Sequence, residues 1–280
     1  MSYQEALERC AIAISVSESP DMPSLGLSDE HLRDAMVEIA RHMLALGAKL
    51  VYGGDLRQYG FSELLFELVA RHRRDANDRD DQTGVINYLA WPVHILKSFR
   101  EIQQTAADLI GSAELVCLAL DGTRMSMQQR QQLKIKKPTE EEWSNGLTAM
   151  RKTMLTETYA RIVLGGRVDQ YKGAMPGIAE EALLSLQKRQ PLFLMGGFGG
   201  CARDIAESLG LITSAVSSRP AWPGRTAFEA LSAANLNNGL TQEENGILAR
   251  TPHVDQAIIL ILRGLLKVTG AANNTQGNTI

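Results

Sequence analysis

Glu180 and Glu181 are adjacent carboxylates at the start of a helical pattern, directly after Pro176-Gly177-Ile178-Ala179. Proline at a helix start and acids in its first turn are good helix-initiation chemistry in their own right. A carboxylate on a pocket rim can also take a ribose hydroxyl pair, or act as general acid or base at a glycosidic carbon. Upstream, Arg151 and Lys152 lie in a helical pattern that ends just before an apolar run at 161–164. That helix end can project a cation toward the same rim. Gly53-Gly54, Gly165-Gly166 and Gly196-Gly197 each follow an apolar run directly. Glycine there lets the backbone approach a ligand closely, and the N–H groups of a following helix N-terminus suit a phosphate. A plain tight turn is the alternative for any one pair; three pairs after three strands favour a ligand site.

Other chemistries are not written in the chain. No segment fits the dinucleotide fingerprint GxGxxG or the P-loop GxxxxGK[ST], and no GxSxG nucleophile elbow occurs. His42, His94 and His253 lack metal-ligand spacing, so no metal and no cofactor are expected. The three cysteines, Cys10, Cys117 and Cys201, are far apart and read as buried small hydrophobes. An odd count with no signal-peptide pattern points to a reducing, cytoplasmic setting.

The elements that must hold these residues alternate. Apolar runs at 10–16, 49–52, 85–90, 114–120, 161–164 and 191–195 read as six strands. Helical patterns fall at 28–47, 61–72, 139–159, 177–188 and 202–209. Thr139 with Glu142, and Thr241 with Glu244, form capping boxes. The mixed-charge stretch 71–81 reads as a solvated loop, and 125–137 as a polar excursion from the sheet. After residue 210 the strand signal fades, and 228–236, 241–250 and 254–268 look helical. Short buried strands between helices predict an α/β fold: a Rossmann-like, doubly wound parallel sheet whose ligands sit at the strand carboxyl ends. The expected division is a nucleotide-binding domain at 1–212, a helical extension at 213–268 and a disordered tail at 269–280.

The 280 residues are 44% hydrophobic, enough for a large core without disulfides. The net charge of -3 offers no basic excess for nucleic-acid backbone, and no apolar run is long enough to span a membrane.

Three segments together resemble a known group: VYGGDLRQYGFSELL (51–65), LGGRVDQYKGAMPGIAEEALL (164–184) and LFLMGGFGG (192–200). They are similar to the SLOG superfamily, named for the Smf/DprA and LOG proteins, and within it to the prokaryotic relatives of the domain at the N-terminus of TRPM channels. LOG enzymes release the base from a nucleoside 5′-monophosphate, using an Arg-Lys pair and PGGxGTxxE. By that resemblance Arg151 and Glu181 fall on the catalytic positions. Ile178 replaces the motif's threonine, and the PGG segment is stretched over 165–173. Other SLOG proteins are oligomeric sensors of NAD- or ADP-ribose-derived signals, often in bacterial antiviral systems.

The resemblance therefore implies either a sensor or effector that binds such a ligand, or an N-glycosidase using Glu181 and Arg151. Gly53, Gly54, Gly165, Gly166 and Gly177 would cradle phosphate, with Arg57, Arg167 and Lys172 adding charge and Arg151 nearby. Glu181 would address the ribose. Ser17, Asp55, Gly173, Pro176, Ile178, Glu180, Gly196 and Gly197 complete the expected rim. The expected partners are a nucleotide-derived small molecule and a second copy of the chain. The apolar stripe of Ile258, Ile259, Leu262 and Leu265 is the candidate oligomer face, with packing on the chain's own sheet as the alternative.

Overall fold

The computed structural model describes residues 6–8, 10–76, 84–213 and 221–276. In chain order the elements are β1 (Ala11–Ser17), α1 (Asp29–Ala45), β2 (Lys49–Gly53), α2 (Phe61–Ala76), β3 (Val85–Leu89), α3 (Trp91–His94), α4 (Phe99–Asp108), β4 (Ala113–Leu118), β5 (Arg124–Met125) and α5 (Met127–Gln131). They continue with α6 (Glu140–Glu157), β6 (Ala160–Gly165), α7 (Gly177–Gln187), β7 (Leu192–Met195), α8 (Gly200–Ser208), α9 (Thr226–Glu229), α10 (Gln242–Arg250) and α11 (Val254–Gln276).

One seven-stranded sheet has the order β5-β4-β3-β2-β1-β6-β7. All neighbours pair in parallel except β5, which runs antiparallel to β4 through Cys117↔Met125 and Leu118↔Arg124. The fold is the Rossmann-like α/β arrangement that the alternating pattern predicts. The chain lays β1 to β4 outward in one direction, then returns to the other side of β1 for β6 and β7. The order reverses between β1 and β6, and the crevice above that reversal is where open α/β sheets bind ligands.

Strand side chains alternate between two covered faces. Ile12, Ile14, Ile162, Leu164 and Phe193 pack with α1, α2, α4 and α11. On the other face Val163, Leu192 and Leu194 meet α7 and α8, while Val51, Ile86 and Tyr88 meet Met150 and Met154 of α6. Ser15, Ser17 and Arg161 share this second face, because period-two alternation sets odd residues of β1 and β6 opposite the even ones.

Several expectations change. The segment 125–137 is no simple excursion: its first residues close a hairpin back onto β4 and extend the sheet. The helix expected to stop at 72 continues to Ala76, and residues 77–81 of the charged stretch lie outside the described residues. Residues 228–236 are not one helix but α9 and a 3-10 turn at 233–236, where Asn237 adopts a left-handed conformation. The last helix runs to Gln276, through much of the expected disordered tail; helix propagation adds a hydrogen bond per residue once the helix is nucleated. Residues 277–280 lie outside the described residues. α10 and α11 share the sheet's core: Leu248, Ile258, Ile261 and Leu265 are buried in the same cluster as Phe193. Of the candidate oligomer stripe, only Ile259 is largely exposed.

Candidate functional site

A cleft of about 780 Å³ lies over the carboxyl ends of β1 and β2 and the start of α7. One wall is a single face of α6, where Trp143, Leu147, Met150 and Arg151 succeed one another at helical spacing. Gly53 to Arg57 line the cleft too, as do Val93 of α3 and Leu96 and Lys97 just after that helix. The start of α7 forms the floor. Pro176 at its N-cap gives no side-chain cap, and Gly177 and Ile178 of its uncapped first turn line the cleft.

The two glutamates point into different environments. Glu180 is bound by the Arg151 guanidinium and by the Thr148 hydroxyl, and it does not line the cleft. Glu181 does line it. Its Oε2 accepts from the Ser15 hydroxyl and from Arg161 Nη1 at 2.6 Å, while Oε1 sits 3.6 Å from Arg151 Nε. Arg161 is fully buried beneath it and also donates to Ser15 Oγ at 2.6 Å and Ser185 Oγ at 3.1 Å. Burial pulls the Arg161 guanidinium below its usual range, and the Glu181 charge opposes that. Ser185 in turn donates to Gln190, which holds Thr158. One carboxylate is thus a strut for Arg151. The other lines the cleft, held through Oε2 by Ser15 and Arg161 and paired through Oε1 with Arg151.

Arg151 is 6% exposed, and its Nε has no hydrogen-bond partner. A Cβ on Gly177 would lie 2.7 Å from its Nη2, so glycine there is what admits the guanidinium against the helix start. A cation beside the positive end of a helix is unfavourable on its own. Glu180 and Glu181 offset that, so the cluster of Arg151, Arg161 and the two glutamates is balanced in formal charge, and the N–H groups at the helix start are what favour an anion.

At the mouth the charges are paired and exposed. Arg57 holds Asp55 at 2.6 Å, Arg167 holds Glu18, and the Lys172 ammonium sits 4.0 Å above the Trp143 ring. Such pairs contribute little in water and yield readily to a phosphate. Tyr52 lines the cleft too; burial raises its phenol well above the usual range, with Asp55 and Glu181 adding to the effect.

Of the residues singled out in the sequence, Ser17, Gly53, Gly54, Asp55, Arg57, Arg151, Arg167, Lys172, Gly177, Ile178 and Glu181 line the cleft. Gly165 and Gly166 do not. They turn the chain with φ of 66° and 103°, and their polar groups are used internally: the Gly166 N–H donates to Ser17 O at 3.0 Å, and its carbonyl accepts from the Cys201 N–H at 2.8 Å. The Gly166 N–H is thus engaged within the chain. Gly196 and Gly197 also lie elsewhere, because Cβ atoms there would meet Ala249 O at 2.7 Å and Thr251 O at 2.1 Å. Close approach to α10 and the turn after it, not ligand contact, requires those glycines. Gly173 and Pro176 stand behind the wall, and Lys152 is exposed to solvent.

Sequence reasoning missed Ser15, Thr148, Trp143, Lys97 and Arg161. Only Arg161 carried a readable signal: an arginine inside a strand buried on both faces needs a partner. Ser15 and Arg161 lie 146 positions apart and meet only through the β1–β6 register.

Comparison with the curated proteins gives no match. The family model described as SLOG cluster2 matches residues 6–248, nearly the whole chain, and the protein belongs to that SLOG family.

Proposed function

We propose that this SLOG protein binds a nucleotide-derived ligand of the NAD or ADP-ribose type at the β1–β6 reversal, as a cytoplasmic sensor or effector in antiviral defence. The observation that carries the reading is the position of Arg151. It is buried and ion-paired with Glu180 and Glu181, against the start of α7, which no side chain caps, in a cleft of about 780 Å³. Such a site has the chemistry to take a phosphate, with the Glu181 carboxylate beside it to accept from a ribose hydroxyl. Binding without cleavage is favoured because Glu181 is half committed to Arg161 and Ser15, and because Ile178 supplies no hydroxyl at the helix start. A homo-oligomer is part of the proposal, with the exposed Ile259 and Leu266 on the outer side of α11 as its contact; static light scattering tests that part.

A second reading has one specific observation in its favour. Glu181 and Arg151 both line the cleft, with Oε1 3.6 Å from Nε, and they are the two groups an N-glycosidase would place at the anomeric carbon. Water would then add at that carbon as the base leaves with its proton. Calorimetry with AMP, NAD and ADP-ribose, followed by chromatography of the same samples, separates the two. Tight binding with no free base, weakened at least tenfold in Glu181→Gln, is the expected result. Base release that disappears in Glu181→Gln establishes the hydrolase. Absence of binding to all three ligands removes the nucleotide reading.

A further inference from the structure

The walls of the cleft set a length as well as a charge. Trp143 and Arg151 lie on one face of α6, eight positions apart. At 1.5 Å per residue that is about 12 Å along the helix axis. That is the separation of their backbone positions, and the cleft beside them holds about 780 Å³. It suits a longer molecule, with a pyrophosphate and a second ribose between its ends.

The two ends differ in chemistry. At the Arg151 end everything is polar and fixed: a buried guanidinium, an uncapped helix start and a clamped carboxylate. At the Trp143 end an indole flanks the mouth, with Leu147 one turn deeper. Its ring is covered by Lys172, an exposed lysine on the loop between β6 and α7. A cation over an indole at an exposed site gains less than a stacked base contributes. The cover is therefore replaceable, and the freed ammonium lies close enough to the cleft to meet a phosphate.

We infer that Trp143 is a specificity-determining residue: a stacking platform for the distal base of a ligand whose other end, a ribose phosphate, is held by Arg151 and Glu181. The inference rests on the nucleotide reading above and deepens it. Lys172 closes the platform in the free protein and moves to the pyrophosphate when the base arrives. A mononucleotide reaches one end or the other but not both.

Ribose 5-phosphate, AMP and ADP-ribose separate the ends. Wild-type protein should bind ADP-ribose more tightly than either shorter compound. Trp143→Ala should lose about tenfold or more of the ADP-ribose affinity and leave ribose 5-phosphate binding unchanged. Trp143→Phe, which keeps an aromatic face, should retain most of the affinity. Indole emission supplies a second readout. The chain has three tryptophans, and Trp143 is the one lining the cleft. Stacked adenine should quench wild-type emission and leave Trp143→Phe emission unchanged. Circular dichroism shows whether each variant is folded. If folded Trp143→Ala binds ADP-ribose within twofold of wild type, or the quench persists in Trp143→Phe, the platform is wrong while the nucleotide site stands. If wild-type protein binds none of the three compounds, platform and nucleotide reading fall together.

Discussion

At the scale of single residues, the adjacent carboxylates illustrate how little neighbours in sequence need share in chemistry. Glu180 and Glu181 differ by one helical position, about 100° around the axis. That rotation gives the first to Arg151 and Thr148 and the second to Arg161 and Ser15. The pairing of charges beneath α7 explains how Arg161 can be wholly buried; an unpartnered guanidinium there would cost several kcal/mol.

A second buried group ties the α3 wall of the cleft to pH. His94 ends α3, is fully buried and donates from Nε2 to Leu118 O at 2.8 Å, leaving Nδ1 without a partner. Burial lowers its pKa from 6.5 to about 4, and Arg130 nearby opposes protonation further. The unfolded chain therefore binds the extra proton between pH 6.5 and 4, where the native protein does not. The contribution of neutral His94 is complete above pH 6.5 and is lost as pH falls toward 4, on the order of 3 kcal/mol in all. Urea titrations at pH 7.5 and 4.5 should show a smaller drop for His94→Gln than for wild type. Equal drops would mean that His94 is not what couples this wall to acid.

At the scale of elements, much was legible. The six apolar runs, the periodic face of α1 and the capping boxes of α6 and α10 stand as local pattern predicts, since each depends on residues within a few positions of one another. The two-residue strand β5 and the left-handed break at Asn237 were too short to leave a period. The glycine pairs were legible as turns but not by purpose: only Gly53-Gly54 opens on the cleft, because what a glycine touches is decided by elements distant in the chain.

α11 carries the clearest test of that rule. A Cβ on Gly264 would meet Asn238 O at 2.4 Å and a Phe193 ring carbon at 2.7 Å, whereas one on Gly270 meets nothing within 4 Å. Alanine raises helix propensity by about 1 kcal/mol at either position. At Gly264 overpacking against a backbone carbonyl costs about 1–3 kcal/mol and should win. Thermal melts should therefore show Gly264→Ala lowering Tm and Gly270→Ala holding or raising it. Both variants moving Tm upward would show that α11 stands further from β7 than described.

At the scale of the whole molecule, the question is whether the helices after residue 212 form an appendage or part of the fold. An oligomer arm attached to a finished domain could be removed without harm. The packing argues otherwise. Leu248, Ile258, Leu260, Ile261 and Leu265 are buried in the core that α1 and the sheet share. Each large aliphatic side chain contributes roughly 1.5–3 kcal/mol on burial, so five together rival the ~5–15 kcal/mol net stability of a typical domain. The family match points the same way, since it continues past 212 to residue 248. A chain ending at Ile212 should lose its cooperative thermal transition and bind a dye specific for exposed apolar surface. A chain ending at Thr269 keeps all five side chains and should melt as the full chain does. Were the shorter chain to fold as a stable monomer, the helices would be an arm after all. None of the described residues of α10 or α11 lines the cleft, which lies over the carboxyl ends of β1 and β2, so a loss of folding in the shorter chain reports on the core and not on the site.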